Sequence, residues 1–537
     1  MIILVNFRWF EQLNFSIPNR RGFMKMLKNA IGREVPDEVN GKKTIPFQGI
    51  GKYLPSGNKV GPPIPSGSQH KQKLLKSVDE ALDRLDLKNG MTISFHHHLR
   101  NGDDMVNLIV DKLAQRGLKD IVLAPSALFP VHEPIVNHIK NGTVSHVLGS
   151  MNGPIGKLCT TGGMKQTAIL RSHGGRYRAI ESGDLHIDAA FIAAPTADSH
   201  GNANGVYGPS ACGPLGFALA DSLYADQVVV LTDNLVPFPA YPWSIQGGNV
   251  NWVVSVEKLG DPAQIVSGTT KVATEPDRLK IAALAAQLVR DSGLIDEAEF
   301  SFQAGAGGMS LAFIQYIADY MREKKVVADF VRGGSTKILV DMLKEGLTRF
   351  ILDGQSFDLA GVESLRDNWN HIETNPFVSY NYHTKGCFAP RVKASVLGGT
   401  EVDLQFNVNV NTHSDGWLLH GIGGFQDAAD AYLTIITVPL YRKTNPIVVE
   451  RVHTVTSPGE SIDAIVTDHG IAINPARTDL LDRLKGSDLP LVSIEELYET
   501  AIRATGKPEK PRTKDRVVAV IEWRDGTIID SVRELDV

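Results

Sequence analysis

From about residue 71 the apolar positions settle into two alternating periods. KLLKSVDEALDRL spaces Leu75, Val78, Leu82 and Leu85 at helical intervals and runs on to Asn89-Gly90, a stop signal. MTISF then reads as a short strand, DDMVNLIVDKLAQRG as an amphipathic helix and DIVLAPS as another strand. Short apolar strands alternating with such helices predict a mostly parallel sheet covered on both faces. Upstream, residues 32–70 break every period. Pro36, Pro46, Pro55, Pro62, Pro63 and Pro65 predict an extended arm, either wrapped over a domain or mobile.

The pattern then returns. TISFHHHLRNGDDMVNLIVDKLAQRG matches EFSFQAGAGGMSLAFIQYIADYMREK, with Ser94-Phe95 opposite Ser301-Phe302. IVNHIKNGTVSHVLGS matches LVDMLKEGLTRFILDG, with Gly142 opposite Gly346. ADSHGNANG and VDLQFNVNV share D-x-x-x-N-x-N, through Asp198, Asn202 and Asn204 in one copy and Asp403, Asn407 and Asn409 in the other. All three separations agree to within a few residues, a period far too long for a solenoid. The expected fold is α/β, with an N-terminal extension and arm over 1–70 and two tandem homologous domains over 71–295 and 296–537. Each carries a mostly parallel sheet. A cleft between them is the natural ligand site, because such sheets bind at the carboxyl ends of their strands.

Composition narrows the classes of partner. Of 537 residues, 55 are Lys or Arg and 60 are Asp or Glu, a net charge of −5 that disfavours a broad grip on nucleic acid or anionic lipid. Three distant cysteines, Cys159, Cys212 and Cys387, fit neither a disulfide framework nor a structural zinc site, and suit a reducing cytoplasm. No apolar run approaches the ~20 residues of a membrane span. MIILVNFRWFEQLNF carries Arg8 and Glu11 and has no basic leader, so residues 1–23 read as an appended segment before Met24 or Met26; an amphipathic anchor is the alternative. Glycine is abundant, 50 of 537, and implies many places where backbone turns tightly or meets a ligand.

Several clusters could carry chemistry, each beside a plainer reading. His96-His97-His98 follows a predicted strand and could handle substrate; it is equally a polar loop, and adjacent residues on extended chain point apart, which argues against a metal site. Gly421-Ile422-Gly423-Gly424-Phe425-Gln426-Asp427 precedes the helical stretch AADAY, where bare N–H groups could meet an anion or a polarised carbonyl. It is neither a Walker loop nor a dinucleotide fingerprint, and a tight strand-to-helix turn explains it too. Gly305-Ala306-Gly307-Gly308 is similar. Arg171, Arg176 and Arg178 with His173 could clamp carboxylates, or flank a surface hairpin turn at Gly174-Gly175. ADSHGNANG is explained by turn chemistry alone, and no GxSxG elbow or supported cysteine offers a nucleophile.

Taken together, the strand-end loop near residue 95, AAFIAAPTADSHGNANG, EVDLQFNVNVN, HGIGGFQDAADA and IDAIVTDHGIA resemble the CoA-transferase and acetyl-CoA hydrolase superfamily. The resemblance is closer still to its citrate lyase alpha-chain family and extends from about residue 26, through VPDEVNGKKTIPFQGIGKYLPSG and HGGRYRAIESGDLHIDAAFIAAP. It implies CoA-transferase-like domains, with exchange of acetate for citrate on an acetyl thioester. The thioester would be borne by CoA, or by the phosphoribosyl-dephospho-CoA arm of an acyl carrier protein (gamma chain), with a beta chain cleaving the citryl product. No permanently bound cofactor or metal is expected. Citramalate lyase alpha chain or a general acetate CoA-transferase would share these motifs, and a non-catalytic scaffold is a third reading.

The resemblance also distributes roles. Gly421, Gly423 and Gly424 would form an oxyanion or thioester loop with the His96, His97 and His98 loop opposite. Arg100, Arg171 and Arg176 would contact citrate carboxylates, and Ile422, Phe425, Gln426 and Asp427 would contact the CoA arm. One departure matters. Many relatives place a glutamate nucleophile in an H-S/T-E-M motif, but with VDML at 340–343 as anchor this chain has FVRGGST, and Gly333 takes the glutamate's slot. The expectation is direct attack by citrate carboxylate on the thioester through a mixed anhydride, with no covalent enzyme intermediate.

Overall fold

The computed structural model describes residues 24–55, 59–61, 72–266, 271–382 and 384–537. Residues 1–23, read above as an appended segment, and the proline cluster at 62–70 lie outside the described residues.

Two parallel sheets organise the chain. The first has seven strands in the order Leu74–Leu75, Trp252–Ser255, Gln227–Thr232, Ala189–Ala193, Thr92–Phe95, Ile121–Pro125 and Val144–Val147. The second has eight, in the order His371–Glu373, Ile351–Ser356, Phe330–Ser335, Ser301–Ala304, Ala394–Gly398, Leu433–Thr437, Ala464–Thr467 and Gly470–Ile473, the last antiparallel. The run from Val144–Val147 to Trp252–Ser255 repeats, strand for strand, in the run from Ile351–Ser356 to Ala464–Thr467. The sequence repeat is thus a repeat of α/β topology. Strands such as Gln227–Thr232, with Val228, Val229, Val230 and Leu231 buried, are covered on both faces, so their apolar runs are continuous rather than alternating.

The twin D-x-x-x-N-x-N motifs build twin turns. Asp198 Oδ1 accepts from the N–H groups of His200, Gly201 and Asn202; Asp403 Oδ1 accepts from those of Gln405 and Asn407. Asn202 and Asn407 then accept from Gly247 N–H and Gly459 N–H, each at a short 3₁₀ turn. The motif is structural in both halves.

Three boundaries differ from the sequence pattern. The first helix is Val78–Leu85, capped by the Ser77 side chain accepting from Glu80 N–H, and Asp86 in the left-handed region ends it before Asn89-Gly90. Leu75 belongs instead to an edge strand paired with Val254. The helix Pro276–Asp291, expected in the first domain, packs Ile281, Ala285 and Leu288 into the core of the second sheet beside the helix Gly308–Lys324. The crossover therefore lies between Ser255 and Pro276.

The C-terminal end also leaves its own half. The hairpin Thr513–Glu522/Ile528–Leu535 pairs in parallel with Ala168–Leu170 of the first half, Ala168 facing Ala519. The described part of the arm wraps this hairpin: Asn29 Nδ2 donates to Ile529 O at 2.7 Å, Pro46 bridges to Ile528, and Phe47 meets Trp523 edge-on at 5.7 Å. Among the described residues no helix is long and apolar enough to cross a membrane.

Candidate functional site

A cavity of about 850 Å³ opens between the carboxyl ends of the two sheets. From the first half it is lined by His97 and Arg100 beyond Thr92–Phe95, and by Phe129, His173 and Phe217. From the second come Gly305–Gly308, Arg332–Gly334, Gln355, Tyr380 and the loop Leu419–Phe425. Ligands meet such sheets at this end because strand termini free backbone and side chains from ladder pairing.

The histidine run divides by the parity of extended chain. His97 faces the cavity. Its N–H donates to Ser126 Oγ, its Nδ1 lies 2.6 Å from that hydroxyl, and its Nε2 lies 3.2 Å from Gln355 Oε1, while Gln355 Nε2 donates to His97 O. A carboxamide oxygen only accepts, so Nε2 carries the hydrogen and Nδ1 accepts from Ser126. Burial, with His173 adding, holds the imidazole well below its usual pKa. His97 is therefore neutral, with both nitrogens engaged. His96 and His98 point the other way, stacked at 5.6 Å, with His96 Nε2 3.5 Å from Asp221; neither lines the cavity. The group of side chains spaced to hold a cation, His186, Asp188 and Asp226, also lies outside it.

The arginines divide too. Arg100 lines the cavity with φ 52, a left-handed conformation uncommon for a side chain of its size, and its guanidinium lies over the rings of Phe129 and Phe357 at 5.0 and 5.4 Å. Burial lowers its pKa to about 10, so it stays charged at neutral pH. Arg171 and Arg176, expected at substrate, do not line the cavity. RSHGGRYR is not a hairpin turn but the helix His173–Ser182, capped by Ser172, whose buried arginines have structural partners. Arg176 forks onto Asp221 at 3.0 and 3.1 Å and donates to Ser94 and Ala124; Arg171 and Arg178 meet Glu522 at 2.9 Å.

The glycine loop lies in the cavity wall. A Cβ at Gly421 would fall 1.9 Å from Ser150 Oγ, and Gly423 has φ +61. Gly423 O accepts from His173 N–H, which ties the loop to the first half. The N–H groups of Gly421, Ile422 and Gly424 have no hydrogen-bond partner among the described residues, which leaves donors for an oxyanion. The helix after the loop is only Phe425–Ala428 rather than the longer stretch expected. Ile422 and Phe425 face the cavity; Gln426 and Asp427 lie behind it. Gln426 donates to Thr456 O and Glu522 O, and Asp427 accepts from Ser172 and Gly174, its carboxyl raised to about 6 by burial.

Gly333 and Gly334 stand in the wall at a bulge between Phe330–Ser335 and Ile351–Ser356. Gly333 has φ +121, and a Cβ at Gly334 would strike the Phe357 ring at 2.1 Å. Among the lining residues the only carboxylate is Glu275, exposed and 3.8 Å from Arg278. No cysteine lines the cavity, and burial raises the Cys159 thiol to about 12. Arg100, Lys271, Arg278, Arg332 and Arg442 make the cavity positive in a chain whose net charge is −5. Arg332, Gln355 and Tyr380 escape a reading of the sequence. The available signal is a charged residue inside VRGGS, on a strand otherwise built to be buried.

The citrate lyase alpha subunit family model (CitF) matches residues 71–535. The citrate lyase alpha chain of Klebsiella pneumoniae is 45% identical over 479 residues, covering 88% of this chain and 94% of that protein. That of Escherichia coli K12 is 44% identical over 466 residues, covering 86% and 91%. Among solved structures, an alpha subunit of citrate lyase from Streptococcus mutans in complex with citrate superposes with TM-score 0.91 at 41% identity, covering 94% of this chain and 99% of that one. The malonate decarboxylase alpha subunit of Acinetobacter baumannii shares the fold at TM-score 0.58 and 14% identity.

Proposed function

The chain belongs to the citrate lyase alpha-subunit family, and from that premise we propose that its cavity exchanges acetate for citrate on a carrier-bound thioester without any covalent enzyme intermediate. A carboxylate oxygen of citrate attacks the acetyl carbonyl carbon, the carbon–sulfur bond breaks, and the carrier thiolate leaves a mixed acetyl–citryl anhydride. The thiolate then attacks the citryl carbonyl, the anhydride carbon–oxygen bond breaks, and acetate departs. No proton is gained or lost over the two steps.

What supports this reading is the cavity wall at Gly333-Gly334: the sequence register assigns Gly333 to the slot of a nucleophilic glutamate, and the carboxylate among the described lining residues is exposed Glu275. A neutral His97 with both nitrogens engaged suits a reaction that needs no general base. Rate enhancement then falls to positioning and to the oxyanion, which the N–H groups of Gly421, Ile422 and Gly424 would meet. For the arm of the acyl carrier protein, Lys271, Arg278 and Arg442 offer phosphate contacts and Ile422 and Phe425 apolar ones. Gln426 and Asp427 support that loop from behind. The beta chain, in this reading, receives the citryl carrier.

The test is chemical trapping. Incubation with acetyl-CoA, followed by hydroxylamine or borohydride and peptide mass analysis, is expected to leave every glutamate unmodified while acetate is released only when citrate is added. A stoichiometrically modified glutamate overturns the direct-attack mechanism.

A further inference from the structure

Arg332, a buried arginine of the cavity wall, is held by no ion pair among the described residues, although the charge of Asp427 reaches it. Arg332 is 2% exposed, one of the largest fully buried side chains in the molecule. Arg171, Arg176, Arg178 and Arg524 are comparably buried, and each meets a carboxylate. Arg332 forms no ion pair among the described residues, and its Nε and Nη1 have no hydrogen-bond partner. Its guanidinium is sandwiched by aromatic rings, 4.1 Å from the Tyr380 centroid and 5.0 Å from that of Phe388, which fixes the plane without discharging the cation.

A guanidinium removed from water with no paired carboxylate and two of its nitrogens unsatisfied is an expensive arrangement unless a ligand completes it. The surroundings specify that ligand. Arg332 lies in the cavity wall directly before Gly333 and Gly334. A planar guanidinium whose Nε and Nη1 donate to no described residue matches a carboxylate, which accepts parallel N–H···O bonds from such a group.

We propose that Arg332 anchors a non-reacting carboxylate of the incoming acid and so selects a polycarboxylate over acetate. The inference rests on the reading that citrate binds this cavity, and adds the residue that recognises it. Acetate has a single carboxylate, which must react, and leaves nothing for Arg332 to hold. Citrate keeps two carboxylates spare. The same fork would turn a second carboxylate of citrate away from the thioester and present only one for attack.

The test compares the full-length chain with R332K and R332M. Citrate binding is measured calorimetrically with no thioester present, and selectivity as the ratio of kcat/KM for citrate to that for acetate exchange, with acetyl-CoA as donor. R332M should lose about 30-fold or more in citrate affinity, with a matching fall in selectivity expressed in KM rather than kcat. R332K, which keeps the charge but not the planar fork, should fall between. Melting temperatures and near-UV dichroism identify a variant that has lost its fold, in which case R332K decides. Citrate affinity in R332K and R332M equal to the parent's, or equal losses for citrate and acetate, overturn the role of Arg332. If the unsubstituted chain fails to bind citrate, the reading of the cavity itself is overturned.

Discussion

Glu373 closes the seam between the halves at the level of one side chain. It comes from the second sheet, yet its oxygens accept from Leu215 N–H at 2.9 Å and Ser244 Oγ at 2.6 Å in the first half. Burial, with a smaller contribution from the nearby Asp353, pushes its carboxyl up to about 7. The folded protein thus holds this proton over a range where the unfolded chain, with an ordinary glutamate near ~4.3, has released it. Stability from this group is full below the ordinary range and is lost as pH rises toward about 7. E373Q, which keeps an acceptor and adds donors, should abolish that decline. Melting curves from about pH 5 to about pH 8 are expected to show the variant gaining on the parent as pH rises; parallel curves would refute the assignment. The residue scale also marks the limits of sequence reading. The partners that withdraw Arg176 and Arg171 from the cavity, Asp221 and Glu522, stand 45 and 351 positions away, and no local pattern pairs them. Arg332 is illegible for a different reason: its significance is a missing partner, which only a three-dimensional environment exposes.

At the scale of elements, the strands were legible because parallel strands buried on both faces write themselves as apolar runs. The duplication was legible for the same reason, and Gly333 stands in the cavity wall. Side-chain parity at a strand's exit was not, since it depends on where the ladder ends; hence of three candidate histidines only His97 faces the cavity. The 421–424 loop shows how an element is positioned by a void. Gly421 is not there for φ: a Cβ would meet Ser150 Oγ at 1.9 Å and its Cα at 2.6 Å, and the neighbour's backbone cannot yield. G421A should displace the loop by enough to cost about 100-fold in turnover, the usual penalty for misplacing donors by an ångström. Unaltered turnover would remove the loop from the site. S150G should restore little, because the clash with the backbone at 150 persists when the hydroxymethyl group is gone.

Across the whole molecule, two homologous halves could stand as two beads on a string, yet their ends are tied across one another. The arm over 24–55, the strand Ala168–Leu170 and the C-terminal hairpin form one layer from three distant parts of the chain. Asn29 is its clasp: Nδ2 donates to Ile529 O, and Oδ1 accepts from Arg33 N–H at 2.9 Å. N29A leaves those groups unsatisfied, at a cost of about 1–3 kcal/mol. The arm should then open, read as faster proteolytic cleavage within 24–55 while the two sheets stay protected. Unchanged cleavage would show the clasp to be dispensable. Domain limits could not be drawn from sequence for the same reason: the helix at 276–291 packs on the second half ahead of its first repeated strand, and the strands after 513 cross back to the first half.

That hairpin also sets a clock on synthesis. Thr167 waits for Val517, 350 residues later, before its hydroxyl finds an acceptor, and the neighbouring strand waits equally long for its pair. At a ribosomal pace of about 5–20 residues per second, the strand Ala168–Leu170 waits unpaired for roughly 20–70 s. A chain that ends before residue 513 leaves the N–H and C=O groups of Ala168–Leu170 without that partner, as an unpaired strand open to pairing with another chain. The first half is therefore closed only after nearly the whole chain has been made.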